Sequence, residues 1–221
     1  MVHRSFFALV VISLLVVLSC DDDEVRVYPS LLSEFVTIQT DESGIPGQLR
    51  TDKGTVYVVE NAGEITTDGL TPDSVYRAIA RYEQRNDVVR IYGLQGVVSS
   101  YAIPDSLFVD EVKCDPVEMQ AIWSGGGYLN MILLIKAQSG KHSFSFIEDS
   151  IIQTTDGYRK LCLSLSHDAH DDMMAYTQKV YLSMPLFPYN GRLEDCDSVI
   201  FSIPTPYGWQ QWTREFTLPA R

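Results

Sequence analysis

The densest group of side chains able to do chemistry is His167-Asp168-Ala169-His170-Asp171-Asp172, which carries imidazoles and carboxylates side by side. Such a set suits zinc or another divalent ion, which takes imidazole nitrogen and carboxylate oxygen. In a continuing strand His167 and His170 face opposite sides, so the segment must bend for His167, His170 and Asp171 to meet on one ion. A polar turn joining two strands is the plainer reading of the same residues. A metal-dependent enzyme built on the His167–Asp172 loop therefore ranks only as a second alternative.

Other candidates are weaker. Trp123 followed by Gly125-Gly126-Gly127 has the glycine content of a phosphate loop but lacks the Gly-Lys-Ser/Thr that would complete one. The glycines are better explained as a hairpin or bulge beneath aromatic residues. No HExxH, G-x-S-x-G or S-x-x-K is present, so no catalytic residue is assigned and no cofactor is expected. Tyr207, Trp209, Trp212 and Phe216 could stack on sugar rings or anchor a partner, but their alternation fits a core strand better. Arg77, Arg81, Arg85 and Arg90, interleaved with Tyr82 and Tyr92, have the composition of a single-strand-binding face. A solvated strand face is the simpler account.

The whole chain weighs against nucleic acid. Its 221 residues hold 17 Lys+Arg against 29 Asp+Glu, a formal charge of −12, where a phosphate-tracking protein needs a basic face. At 45% hydrophobic it is a globular composition, long enough for one large domain or two small ones.

The positioning elements read as short strands. Phe35 to Thr40 is rich in β-branched residues, and Gln48 to Thr51 turns through Lys53-Gly54 into Thr55 to Val59 as a hairpin. Ser74 to Arg85 fits both a helical stripe and an alternating strand; Asn86-Asp87 followed by Val88 to Gly93 favours a second hairpin. In the second half Leu161, Leu163 and Leu165 alternate with Cys162, Ser164 and Ser166, a half-buried strand. Regular strands punctuated by Gly, Pro and Asp indicate an all-β sandwich or barrel. The stretch from Ile103-Pro104-Asp105 to Asp115-Pro116 marks the boundary between halves.

The first residues are an address. A short basic start at Arg4 precedes the uncharged run Ser5 to Ser19, the form of a secretory signal and somewhat short for a membrane span. Val17-Leu18-Ser19-Cys20 resembles a bacterial lipobox, with Leu18 where a small residue is usual. Lipidation of Cys20 would anchor the chain to a bilayer, and cleavage before it removes Arg4 and takes the charge from −12 to −13. Asp21-Asp22-Asp23-Glu24 is a solvated tether that also resembles the acidic export signal of Bacteroidetes surface lipoproteins. The expected location is the outer membrane facing the cell exterior, with the periplasmic face as the alternative. Of the remaining cysteines, Cys162 reads as a packed thiol, while Cys114 and Cys196 leave one disulfide open. Asp-Ser-apolar triplets at Ser74, Ser106, Ser150 and Ser198 resemble an O-glycosylation signal of Bacteroidetes. They also fit turns before strands.

The lipobox, the acidic tether and Asp115-Pro116 … Trp123-Ser124-Gly125-Gly126-Gly127-Tyr128-Leu129-Asn130 together resemble the NigD-like lipoproteins of Bacteroidetes. Supporting points are His167, which closes the Leu161–Ser166 strand, and the late strand around Asp197-Ser198-Val199. The resemblance implies a small OB-like barrel followed by a β-sandwich. It divides the chain into a signal peptide (1–19), lipidated Cys20 with its tether (20–33), barrel (34–112) and sandwich (113–221). It also implies a non-enzymatic, bacteriocin-immunity-like role and supplies no catalytic residues. The expected partners are the membrane, through the lipid, and a protein or a glycan. A carbohydrate-binding surface lipoprotein is the first alternative.

Overall fold

Runs of β-branched and aromatic residues, broken by glycine and aspartate turns, become strands throughout a computed structural model that describes residues 30–66, 69–109, 111–194 and 196–218. The signal segment, Cys20 and the acidic tether lie outside the described residues. Strands β1 (Leu31–Thr40), β2 (Pro46–Thr51), β3 (Val56–Val59), β4 (Val75–Arg85) and β5 (Val88–Gly96) close into a barrel in the order β1-β2-β3-β5-β4. The ambiguous segment around Ser74 to Arg85 is a strand. Ala78, Ala80 and Tyr82 point into the barrel, and Asn86 turns the chain into β5 with a φ of 55°. Val36, Ile38, Leu49, Val89 and Ile91 complete that core. This is the expected OB-like barrel.

The second half forms β6 (Ile103–Pro104), β7 (Glu118–Gly125), β8 (Tyr128–Ala137), β9 (Ser143–Gln153), β10 (Arg159–Asp168), β11 (Tyr176–Pro185), β12 (Ser198–Thr205) and β13 (Gly208–Glu215). They make two sheets, β13-β12-β10-β9-β6 and β11-β8-β7. Leu161, Leu163 and Leu165 of β10 share one core with Leu129, Met131 and Leu133 of β8. Leu182, Met184, Phe146 and Phe201 belong to the same core, which makes this half a sandwich.

The sandwich's hydrogen bonding starts before residue 113. β6 adds to β9 in parallel through Ile103↔Ile147. Further upstream, Val97 N donates to Arg77 O of β4 at 3.3 Å, while Val98 N donates to Tyr181 O of β11 at 2.9 Å. Ser183 N returns a bond to Val98 O at 2.9 Å. Val98 and Ile103-Pro104, in the stretch expected with the barrel, thus cover part of the edges of β11 and β9, where backbone groups would otherwise lack partners.

Strand alternation also decides how the halves meet. Because Leu129, Met131 and Leu133 face the core, Asn130 and Ile132 face outward, as do Tyr181 and Ser183 beside core-facing Leu182 and Met184. On the barrel, Phe35 of β1 and Arg77 and Ile79 of β4 face outward in the same way. These two outer faces pack on one another. Phe35 meets Trp123 edge-on with ring centroids 5.1 Å apart and Tyr181 at 6.0 Å.

Leu163 is fully buried between the sheets, whereas its neighbour Cys162 points to the outer face. Leu163→Ala is expected to lower the unfolding free energy by about 2–5 kcal/mol, and Cys162→Ala by about 1 kcal/mol or less. Equilibrium denaturation of both variants checks this.

Candidate functional site

Arg77 sits at the junction with its side chain 1% exposed. Its Nη2 lies 2.6 Å from Asp52 Oδ1, in the β2–β3 turn, and donates to Asp52 Oδ2 at 2.7 Å and Asn130 Oδ1 at 2.9 Å. Its Nε donates to Ser183 Oγ at 2.9 Å. The guanidinium lies 4.3 Å from the centroid of the Tyr128 ring and 5.6 Å from that of Phe35. Asn130 Nδ2 donates to Asp52 Oδ2 at 3.0 Å, and Ser183 Oγ donates to Asn130 Oδ1 at 2.6 Å, closing the network. Burial pushes the Asp52 carboxyl above its ordinary value, against the pull of Arg77 and Asn130.

The Trp-x-Gly-Gly-x-Tyr-Leu-Asn stretch has its role here. Gly126 and Gly127 form the two-residue turn between β7 and β8 with φ of 62° and 82°, backbone that favours glycine. A Cβ on Gly126 would fall inside contact distance of Asp52 Oδ1 and 3.1 Å from Asp52 Cα. The glycines therefore admit Asp52 to the junction, Trp123 and Tyr128 supply aromatic faces, and Asn130 supplies the amide.

Beside this network an open cleft of about 600 Å³ lies between barrel and sandwich, walled by Phe35, Ile79, Trp123, Ile132 and Tyr181. Glu34, Asp52 and Lys53 bring charge to it.

A larger cleft of about 900 Å³ opens at one end of the sandwich, with Val117, Leu134 and Ile135 beneath His167, His170 and Asp172. His167 is 1% exposed. Its Nδ1 donates to Asp115 O at 2.9 Å, and its Nε2 lies 2.8 Å from His142 Nδ1. His142 Nε2 in turn lies 3.3 Å from Asp172 Oδ2. Asp172 also accepts from the backbone N–H groups of Gln138, at 2.7 Å, and Ser139. These bonds, Gln138 first, hold its carboxyl down to about 2.

Contacts to the carbonyl of Asp115, between the two rings and to the Asp172 carboxylate each need a proton, and two neutral imidazoles carry only one apiece. The pair is thus satisfied as a cation with Asp172 as its counter-ion. Burial holds His167 below its usual range.

The ligand set expected from the sequence is not brought together. Both ring nitrogens of His167 are engaged, and His170 Nε2 faces Ser143 Oγ at 2.7 Å instead. His170 and Asp171 both adopt positive φ, and among the described residues no three His, Cys, Asp or Glu side chains converge as a metal centre. The bend that was needed exists, but the two histidines take different partners in it. His142 was missed although the β9–β10 register, with Phe144 opposite His167, places it next to that strand end.

The other singled-out residues separate cleanly. Cys114, Cys162 and Cys196 are free thiols. Phe216 is buried and Trp212 packs against the core, but Trp209 is half exposed and Tyr207 is 91% exposed, so the aromatic run is only partly core. Arg85 pairs with Glu83 and Glu60, and Arg90 with Glu64, on the surface. Arg77 is instead the buried junction residue, which corrects the expectation of a solvated face. Ser106 and Ser150 are exposed, while Ser74 and Ser198 are half buried.

A closed five-stranded barrel fixed by a buried arginine onto a β-sandwich defines a class of all-β protein. The chain belongs to the NigD-like family. Residues 99–218 match the NigD-like C-terminal beta sandwich domain. A NigD-like immunity protein from Bacteroides caccae ATCC 43185 is 30% identical with a TM-score of 0.66, over 84% of this chain and 92% of that one. A protein of unknown function from Bacteroides vulgatus ATCC 8482 shares the fold at 16% identity and a TM-score of 0.61, over 86% and 92% of the two chains. A proposed lipoprotein of Bacteroides fragilis NCTC 9343 does so at 12% and 0.64, over 86% and 100%. No curated protein matches the chain.

Two outcomes are expected. Arg77→Ala strands the Asp52 carboxylate and should cost about 3–5 kcal/mol, with Gly126→Ala costing about 1–3 kcal/mol through backbone strain and displacement of Asp52. Denaturant titration of the two variants measures both. Unfolding should also be steeper in acid than the Asp172→Asn variant allows. Between about pH 4 and pH 2 unfolded Asp172 binds a proton that the folded state excludes, so its contribution is present above that window and is lost as pH falls through it. The stability gap between wild type and Asp172→Asn should therefore narrow on acidification.

Proposed function

We propose that this protein is a lipid-anchored envelope protein that works by holding a protein partner, in the manner of a bacteriocin-immunity factor, and does not catalyse a reaction. The observation that carries this reading is the 30% identity, over 84% of the chain, to a protein described as a NigD-like immunity protein. Its surface suits the role. Met173, Met174 and Tyr176, at the start of β11 and just before it, are each about two-thirds exposed, and Met174 and Pro206 lie on the larger cleft's lining. Exposed methionine and aromatic side chains are adaptable anchors for a protein surface. Cys20 supplies the lipid, and the acidic tether directs the chain to the outer face of the outer membrane.

Exposure of Tyr207 and Trp209 favours a second reading, in which the chain stacks on sugar rings. Crosslinking in native cells followed by purification of the lipidated protein separates the two. One near-stoichiometric envelope protein is expected to come with it, and Cys20→Ala is expected to leave the protein in the soluble fraction. Recovery of no protein partner, together with thermal stabilisation by glycans, would replace the first reading by the second.

A further inference from the structure

One side of β11 changes character along its length. At the C-terminal half the chain has already added a strand to itself. Val98 N donates to Tyr181 O and Ser183 N donates to Val98 O, each at 2.9 Å, in a parallel bridge centred on Leu182. In a strand the N–H and C=O of one residue point to the same side, and the side reverses at each step. Tyr181 and Ser183 thus turn their backbone groups to Val98. Val180 and Leu182 turn theirs to β8, where they face Leu133 and Met131 in unbroken register.

Carried toward the N-terminus, the same alternation turns the N–H and C=O of Lys179 and Thr177 to the side that Val98 occupies beside Leu182. Val97 has by then left for the barrel, bonded to Arg77 O. Among the described residues no backbone group pairs with Thr177 or Lys179 on that side. Both residues are exposed, as are Tyr176 and Gln178. The border where β7 meets β13 is treated differently: Arg214 Nε donates to Ile122 O at 2.8 Å and Ser124 Oγ to Glu215 O at 2.7 Å. A lone amide is met well enough by water. Two donors and two acceptors in this alternation, roughly 7 Å from one residue to the other, are the complement of an extended strand.

We propose that a protein partner docks by laying an extended segment of about five residues along the Tyr176–Val180 edge of β11, as a fourth strand of the β11-β8-β7 sheet. This rests on the reading of the chain as a protein-binding module and names how it binds. Main-chain bonds to Thr177 and Lys179 supply the attachment. Alternate side chains of the added strand lie beside Val180, which packs against the sandwich core, and Tyr176, which is 65% exposed, so apolar residues are selected there.

Hydrogen exchange and NMR of the full mature protein test the edge with a defined probe, a blocked pentapeptide of alternating threonine and valine. In the free protein the Thr177 and Lys179 amides should exchange about tenfold or more faster than that of Val180. The peptide should shift both amides and slow their exchange about fivefold or more, and the same peptide N-methylated throughout should do neither. Lys179→Pro removes one edge donor and leaves the bonds to β8, so it should weaken binding about fivefold or more, and Thr177→Pro makes the same test nearer the strand's start. Lys179→Ala, which removes only the side chain, should keep binding. Equal binding by wild type and by folded proline variants, no peptide binding, shifts confined to other residues, or free-protein amides at Thr177 and Lys179 as slow as Val180 overturns the proposal. A crosslinked partner retained undiminished by both proline variants also overturns it while leaving partner binding intact. Peptide binding at this edge with no partner recovered in cells upholds the edge as a strand acceptor and removes the immunity-like reading.

Discussion

The burial of Arg77, held by Asp52 of its own barrel and met by Asn130, Ser183 and Tyr128 of the sandwich, is the constraint on which the arrangement of the two halves depends. A guanidinium taken out of water loses several kilocalories per mole of hydration, and the loss is recovered only when every donor finds a partner and the charge is met. Here Asp52, Asn130, Ser183 and two aromatic rings meet it together. They come from the β2–β3 turn and from β1, β8 and β11, so the arginine is satisfied only when barrel and sandwich are docked. That makes the junction specific in a way that the surrounding apolar contacts between Phe35, Ile79, Ile132 and Tyr181 would not be by themselves.

From this follows the meaning of the glycine-rich stretch after Trp123. Glycines in such number invite a ligand interpretation, since bare backbone is how proteins approach phosphates. What approaches this backbone is another part of the same chain. Asp52 occupies the space that a side chain on Gly126 would fill. The stretch is, in this chain, a device for docking barrel and sandwich.

The fold was largely legible in the letters because β-strand alternation is a local signal. Leu161, Leu163 and Leu165 announce their face within a few residues, and Lys53-Gly54 and Asn86-Asp87 announce their turns. Arg77 could not be read in that way. Its flanking pattern matches that of a solvated strand face, and only the sandwich, more than fifty residues later in the chain, makes it an interior residue. The histidines show a similar limit. His167 was conspicuous, but its partner His142 lies just before a different strand, and His170, in the left-handed backbone of a turn, bonds Ser143 instead. Spacing along a sequence reports candidates for convergence. Pairing across a sheet decides which of them meet.

The placement of β1 has a mechanical consequence. This strand begins the described fold at Leu31 and is flanked on both sides, by β4 from Leu31 to Gln39 and by β2 from Val36 to Thr40. Antiparallel hydrogen bonds lie across the strand direction. A pull along β1 from its N-terminal end therefore loads these bonds in shear, many at once, where an edge hairpin would open one bond at a time. Whatever drags on the far side of the molecule is resisted by the barrel as a rivet row resists a sliding plate.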